Sequence, residues 1–214
     1  MDVDDSSREY DLLMRFFLVL SLLLVACTAR IHIPPPSPET NPQKSAPARS
    51  LIPARGILDP LRVTKKPFGI LIDPKTSPVQ PERFRGYHTG TDFEIFPDEE
   101  DTAVEIFSIC RGKVRFTGWV KGYGGVLIQD CTYENEQVTV LYGHLQIDSI
   151  SLRPGAVLSK GMKIGNLGKG FSIETDGERK HLHLAIHRGT KLEYRGYVQK
   201  EEDLSQWIDP FQDI

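Results

Sequence analysis

The sequence predicts a mainly β fold, an antiparallel sandwich or two-sheet arrangement, from three observations. Short runs of strand character recur at close spacing, Gly and Pro clusters separate them, and helix signals are weak. The 18 glycines and 39% hydrophobic residues suit a compact, turn-rich β protein. Residues 68–72 read as the first strand, followed by a turn segment over 73–82 that contains Pro and Ser. Further strands are expected at 91–95, 104–109, 113–120, 126–130, 138–142, 156–158, 163–167 and 181–187. The breaks fall at Arg111-Gly112, Gly122-Tyr123-Gly124-Gly125, Arg153-Pro154-Gly155 and Gly168-Lys169-Gly170. One helical turn is expected at 148–152 and another at 202–208, and no repeat of solenoid period is present.

A chain of 214 residues holds one domain of ordinary size and a tail. Its 26 basic residues against 29 acidic ones argue against a nucleic-acid binder, which would carry a basic excess.

The tail reads as an export signal followed by a tether. The apolar run from Phe16 to Ala26 is far shorter than the ~20 residues a helix needs to span a bilayer. Arg15 precedes it and Leu24-Val25-Ala26-Cys27 closes it, the pattern of a signal peptide ending in a bacterial lipobox. Cys27 is then the expected lipidated first residue of an exported, membrane-anchored lipoprotein at a bacterial surface or in the periplasm. The alternative is a plain cleaved signal with a coincidental Cys. Upstream of Met14 the sequence is acidic, the wrong sign for such a leader, so Met14 competes with Met1 as the start.

Residues 28–60 are Pro-rich, with Pro34-Pro35-Pro36 and four further prolines by Pro53, and form a linker that includes His32 as a bystander. The folded domain is expected over 61–214. Cys110 and Cys131 remain as an even pair in an exported chain, each at a strand end, and form a candidate disulfide or else two separate buried thiols.

Two clusters carry the chemistry: His88-Thr89-Gly90-Thr91-Asp92 and His181-Leu182-His183. They supply two imidazoles and a carboxylate for one metal ion, plus a spare His. A catalytic zinc takes three such N/O ligands and keeps a position for water. On a strand, residues two apart share a face. His181 and His183 therefore point one way while Leu182, Leu184 and Ile186 pack inward, and His187 lies further along the polar face. Tyr142-Gly143-His144-Leu145 adds another imidazole near a strand end. Nucleophile schemes fit poorly, since Cys110 has no adjoining His and no Gly-x-Ser-x-Gly elbow exists.

The three motifs, in this order, resemble those of the lysostaphin-type (LytM-like) zinc metallopeptidases that cut peptidoglycan. Arg111-Gly112-Lys113-Val114, Gly122-Tyr123-Gly124-Gly125, Val157-Leu158-Ser159-Lys160-Gly161 and Ile164-Gly165-Asn166-Leu167-Gly168 match further landmarks, over about 67–190. The resemblance implies a curved antiparallel β-sheet peptidase domain of the duplicated hybrid motif type, with a groove for an extended peptide. It implies Zn2+ on His88, Asp92 and His183, with His144 and His181 as catalytic imidazoles that are not ligands. Of these two, one takes the water proton and the other steadies the oxyanion; which does which stays open. The implied substrate is a peptidoglycan stem or cross-bridge peptide, with regulatory partners unknown. A non-catalytic wall-binding regulator is the alternative, though loss of metal in such proteins usually leaves the ligands substituted. Arg111 departs from the family's usual acidic residue and is expected to alter a loop contact. Glu174, Asp176, Glu178, Arg179 and Lys180 stand where relatives often carry a Thr/Ser/Gly-rich loop, which bears on substrate preference.

Overall fold

The computed structural model describes residues 57–63 and 65–211; the leader, Cys27, the proline-rich stretch and His32 lie outside the described residues. Twelve strands occur among them. They are β1 (Leu71–Ile72), β2 (Gly86–His88), β3 (Thr91–Glu94), β4 (Glu105–Phe107), β5 (Gly112–Val120) and β6 (Gly124–Tyr133). The remainder are β7 (Glu136–Leu145), β8 (Val157–Leu158), β9 (Lys163–Asn166), β10 (His181–Arg188), β11 (Tyr197–Val198) and β12 (Trp207–Ile208).

The main sheet runs β12-β10-β7-β6-β5-β8, with β3 added against β10. A second sheet is β1-β2-β11, and β4 pairs with β9. Every registered pair is antiparallel. The fold is mainly β, as expected.

The long β6–β7 hairpin turns at Glu134-Asn135, both in the left-handed region (φ 44 and 67), while Tyr133 faces Glu136 across the ladder. Two left-handed residues between paired neighbours make the twist of the turn match that of the strands. Along β6 and β7 successive apolar residues go to opposite faces. Leu127, Val140 and Tyr142 enter one core with Leu182, Leu184 and Ile186 of β10. Val126, Ile128 and Leu141 enter a second with Ala185, Val198 and Trp207. A sheet buried on both faces reads as a continuous apolar run, which is why β6 shows little alternation in sequence. Each such side chain contributes roughly 1.5–3 kcal/mol on burial.

Three strands, β2, β11 and β12, fall outside the set expected from sequence. Each has two or three residues, too few to show a period, and exists only because a partner strand supplies its hydrogen bonds. The helical turn expected at 202–208 is a 3-10 helix over Glu201–Gln206 that ends before β12. The turn expected at 148–152 is a 3-10 helix over Ile147–Ser149. Cys110, just after β4, and Cys131, on β6, lie with their sulfurs in contact and Cα atoms 6.0 Å apart.

Candidate metal centre

The His88–Asp92 fragment is the corner between two sheets. β2 carries His88 in the three-stranded sheet, and β3 carries Asp92 in the main one. The preceding chain clamps this corner: the Asp92 N–H donates to the Lys66 carbonyl at 3.0 Å, and the His88 N–H donates to the Ile70 carbonyl at 3.0 Å. Gly90 in the turn has no substitute, because a Cβ there would stand 2.5 Å from the Leu184 carbonyl oxygen and 2.8 Å from the His183 ring. His183 is the third residue of β10, paired with Asp92 on one side and Gly143 on the other.

Register therefore brings together residues far apart in sequence. His88 Nε2 lies 3.0 Å from His183 Nδ1, and Asp92 Oδ1 lies 3.1 Å from the same nitrogen. His88 Nε2 is 3.4 Å from Asp92 Oδ1. All three donor atoms fall within 4.8 Å of one another and are buried. His88 Nδ1 faces the Pro67 carbonyl at 3.2 Å, and a carbonyl can only accept, so that nitrogen carries the proton and Nε2 offers its lone pair. His183 Nδ1 brings at most one proton to the triangle while it is neutral, and His88 Nε2 and Asp92 Oδ1 are both acceptors. A cation satisfies all three lone pairs where protons cannot, and the donor set of two imidazoles and a carboxylate fits zinc.

Two more imidazoles stand beside this triangle. The His144 ring lies 4.2 Å from that of His181, centroid to centroid. His181 Nδ1 donates to the Arg179 carbonyl at 2.8 Å, which turns Nε2 to within 3.3 Å of Asp92 Oδ2. His144 has a left-handed backbone (φ 63) inside β7, and its buried Nδ1 has no partner among the described residues. A non-glycine residue held in this region stores strain that the surrounding structure must impose, and such sites cluster where chemistry is done.

Burial opposes the Asp92 charge, but the imidazoles of His181 and His88, with hydrogen bonds from His181 and His183, hold its carboxyl well below the usual range. Burial, offset in part by Asp92, pushes His183 down to about 4. Burial and the neighbouring His181 push His144 well below the ordinary imidazole value. Both rings are thus neutral at neutral pH, the state in which an imidazole nitrogen can bind a metal or accept a proton.

A cavity of about 260 Å³ opens onto these groups, with Asp92, His144, His181 and His183 among its lining. A family model, peptidase family M23, matches residues 86–194 and so takes in all five site residues. The chain belongs to peptidase family M23. Among solved structures this M23 chain is similar to the catalytic domain of the antimicrobial peptidase lysostaphin from Staphylococcus simulans (18% identity, 69% of this chain, 86% of that one, TM-score 0.44). It is also similar to LytU (22%, 70% and 81%, TM-score 0.44) and to Csd3 from Helicobacter pylori (23%, 68% and 30%, TM-score 0.40). No curated protein sequence matches it.

All five residues singled out in sequence, His88, Asp92, His144, His181 and His183, meet in this one place. His187, at the far end of β10, packs its ring on Trp207 at 5.0 Å instead. Tyr123 and Tyr197 also line the cavity. Tyr123 Oη is 3.5 Å from His183 Nε2, and Tyr197 Oη accepts from the buried Lys66 Nζ at 3.2 Å. Nothing local in sequence marks Tyr197, because β11 reaches the site only by pairing with β2.

The charged segment at 174–180 is bound into the fold rather than free. Lys180 Nζ donates to the carbonyls of Glu99, Glu100 and Thr102 at 2.7–2.8 Å. Glu178 pairs with Arg83 at 2.7 Å. The Arg179 guanidinium turns inward to Asp92 Oδ2 at 2.8 Å and to the Glu94 carboxylate.

Proposed function

We propose that this M23 chain is a zinc-dependent endopeptidase that hydrolyses peptide bonds in peptidoglycan stem or cross-bridge peptides. The observation that carries the reading is the convergence of His88 Nε2, Asp92 Oδ1 and His183 Nδ1, with two non-ligand imidazoles beside them, their ring centroids 4.2 Å apart. These three residues would hold the ion. Zinc, when bound, supplies a Lewis acid that polarises a carbonyl and acidifies water.

The chain's own groups then divide the remaining work. His144, neutral by burial and with Nδ1 uncommitted, suits removal of a proton from the attacking water and its delivery to the leaving amine. His181 donates from Nδ1 to the Arg179 carbonyl and turns Nε2 toward Asp92 Oδ2 at 3.3 Å, so a proton on Nε2, held beside that carboxylate, is what would let it steady developing negative charge on a substrate oxygen. The buried surroundings keep bulk water from screening these interactions. All five site residues are present, which favours an enzyme over a wall-binding regulator.

Digestion of purified peptidoglycan by the full chain, with products identified by mass spectrometry, tests the reading. New peptide ends that a chelator abolishes are expected. Intact muropeptides after incubation with the zinc-loaded chain would leave the regulator reading in its place.

The reading extends to location. Export through the leader, lipidation of Cys27 and a proline-rich tether would place the domain beside the wall, where its substrate is. An oxidising compartment there would also favour a disulfide between Cys110 and Cys131.

A further inference from the structure

Resting on the zinc reading, we infer that Arg179 is a positioning residue of the metal centre, restricting Asp92 to coordination through a single oxygen. Asp92 has two oxygens and they face different partners. Oδ1 turns to His88 and His183, at 3.4 and 3.1 Å. Oδ2 accepts from Arg179 Nη2 at 2.8 Å. A carboxylate free at its second oxygen can swing to grip an ion with both; one tied by a charge-assisted hydrogen bond cannot do so without breaking that bond.

Arg179 is itself fixed. Its Nε donates to both oxygens of Glu94 at 3.0 Å, and Nη2 donates to Glu94 Oε1 at 2.5 Å. Its side chain is 9% exposed, so water screens these contacts little. Glu94 also balances the guanidinium, which otherwise would set an uncompensated cation beside a site built for one. The main-chain carbonyl of Arg179 meanwhile orients His181. One residue thus sets the ligand oxygen through its side chain and a candidate catalytic imidazole through its backbone. Arg179 stands two residues before β10, whose first pairs across the ladder set His181 opposite Glu94 and His183 opposite Asp92 on β3. Single-oxygen binding leaves more of the ion's coordination sphere open to water and substrate.

The test is metal binding by the full chain, with zinc titrated against a chromophoric chelator and cobalt(II) used as a coloured substitute. Arg179→Met is expected to lose about 10–100-fold in zinc affinity, the usual effect of removing a partner that orients a ligand. Arg179→Lys, which keeps the charge and one donor, should recover part of that loss. Glu94→Gln should weaken binding by exposing the guanidinium charge. The intense visible band of four-coordinate cobalt should fade in Arg179→Met as Asp92 adds its second oxygen. Unchanged affinity and an unchanged cobalt spectrum in a folded Arg179→Met chain would overturn the positioning role and leave the zinc site standing. Should that variant not fold, wild-type affinity in both Arg179→Lys and Glu94→Gln would overturn it as well. A wild-type chain that takes up neither ion removes the zinc reading and this role together.

Discussion

His88 and His183 turn ring nitrogens toward Asp92 because of what surrounds each ring. The His88 Nδ1–H donates to the Pro67 carbonyl, and burial keeps His183 uncharged. A ligand role and a catalytic role can be separated by what each substitution removes. His88→Ala or Asp92→Ala takes away one of three donors, and zinc content by elemental analysis should fall with activity. Full zinc occupancy in Asp92→Ala would exclude Asp92 as a ligand. His144→Ala and His181→Ala should keep their zinc and lose turnover by about 10²–10⁴-fold, the usual worth of a positioned proton donor or acceptor. Stoichiometric loss of zinc from either variant would make that residue a ligand instead. The imidazoles are legible in sequence because so few histidines exist and four fall in three short motifs. Arg179 is not, since its partner Asp92 stands 87 positions away and a charge beside a glycine-rich loop ordinarily faces solvent.

β10 is the element on which the site depends, pairing with β3, β7 and β12. Its apolar residues Leu182, Leu184 and Ile186 enter the core on one face while His181 and His183 form the site on the other. The alternation that marks it as a strand is therefore also what aims His181 and His183 toward Asp92. The chain after β4 meets β6 at a different place, where Cys110 and Cys131 lie side by side with Gln129 Nε2 donating to both sulfurs. The cysteines are 21 positions apart, and a bond closing a loop of that size would stabilise by about 3 kcal/mol. Cys110→Ser with Cys131→Ser should lower the unfolding midpoint accordingly while sparing zinc binding. Denaturant titrations of the oxidised and reduced wild-type chain supply the check, and coincident curves would mean the thiols are unbonded.

For the molecule as a whole, the question is where the domain works. An acylated Cys27 would need two or more chains to hold the protein stably. The proline-rich stretch, at about 3.1 Å per residue when extended, would then set the domain several nanometres from the membrane. Cys27→Ser should release the protein or leave an unprocessed precursor, with intrinsic peptidase activity unaltered. Labelling of cells with an alkyne fatty acid decides this. Wild-type protein that takes up no label would point to a secreted enzyme with no anchor.

Composition, turn punctuation and period-two patterning determined by themselves that the chain is mainly β, and motif order marked five candidate site residues. These are local properties: strand alternation and Gly/Pro turns act over a few residues, and a motif is contiguous by definition. Tertiary structure alone decided that Asp92 and His183 pair across β3 and β10 and that β2 turns a corner at Gly90. It alone placed Arg179 against Asp92 and Tyr197 beside His88. Sheet register converts separations of tens of residues into contacts of about 3 Å. No periodicity within a strand specifies which neighbour it will find, because that choice rests on the fit of two cores at once.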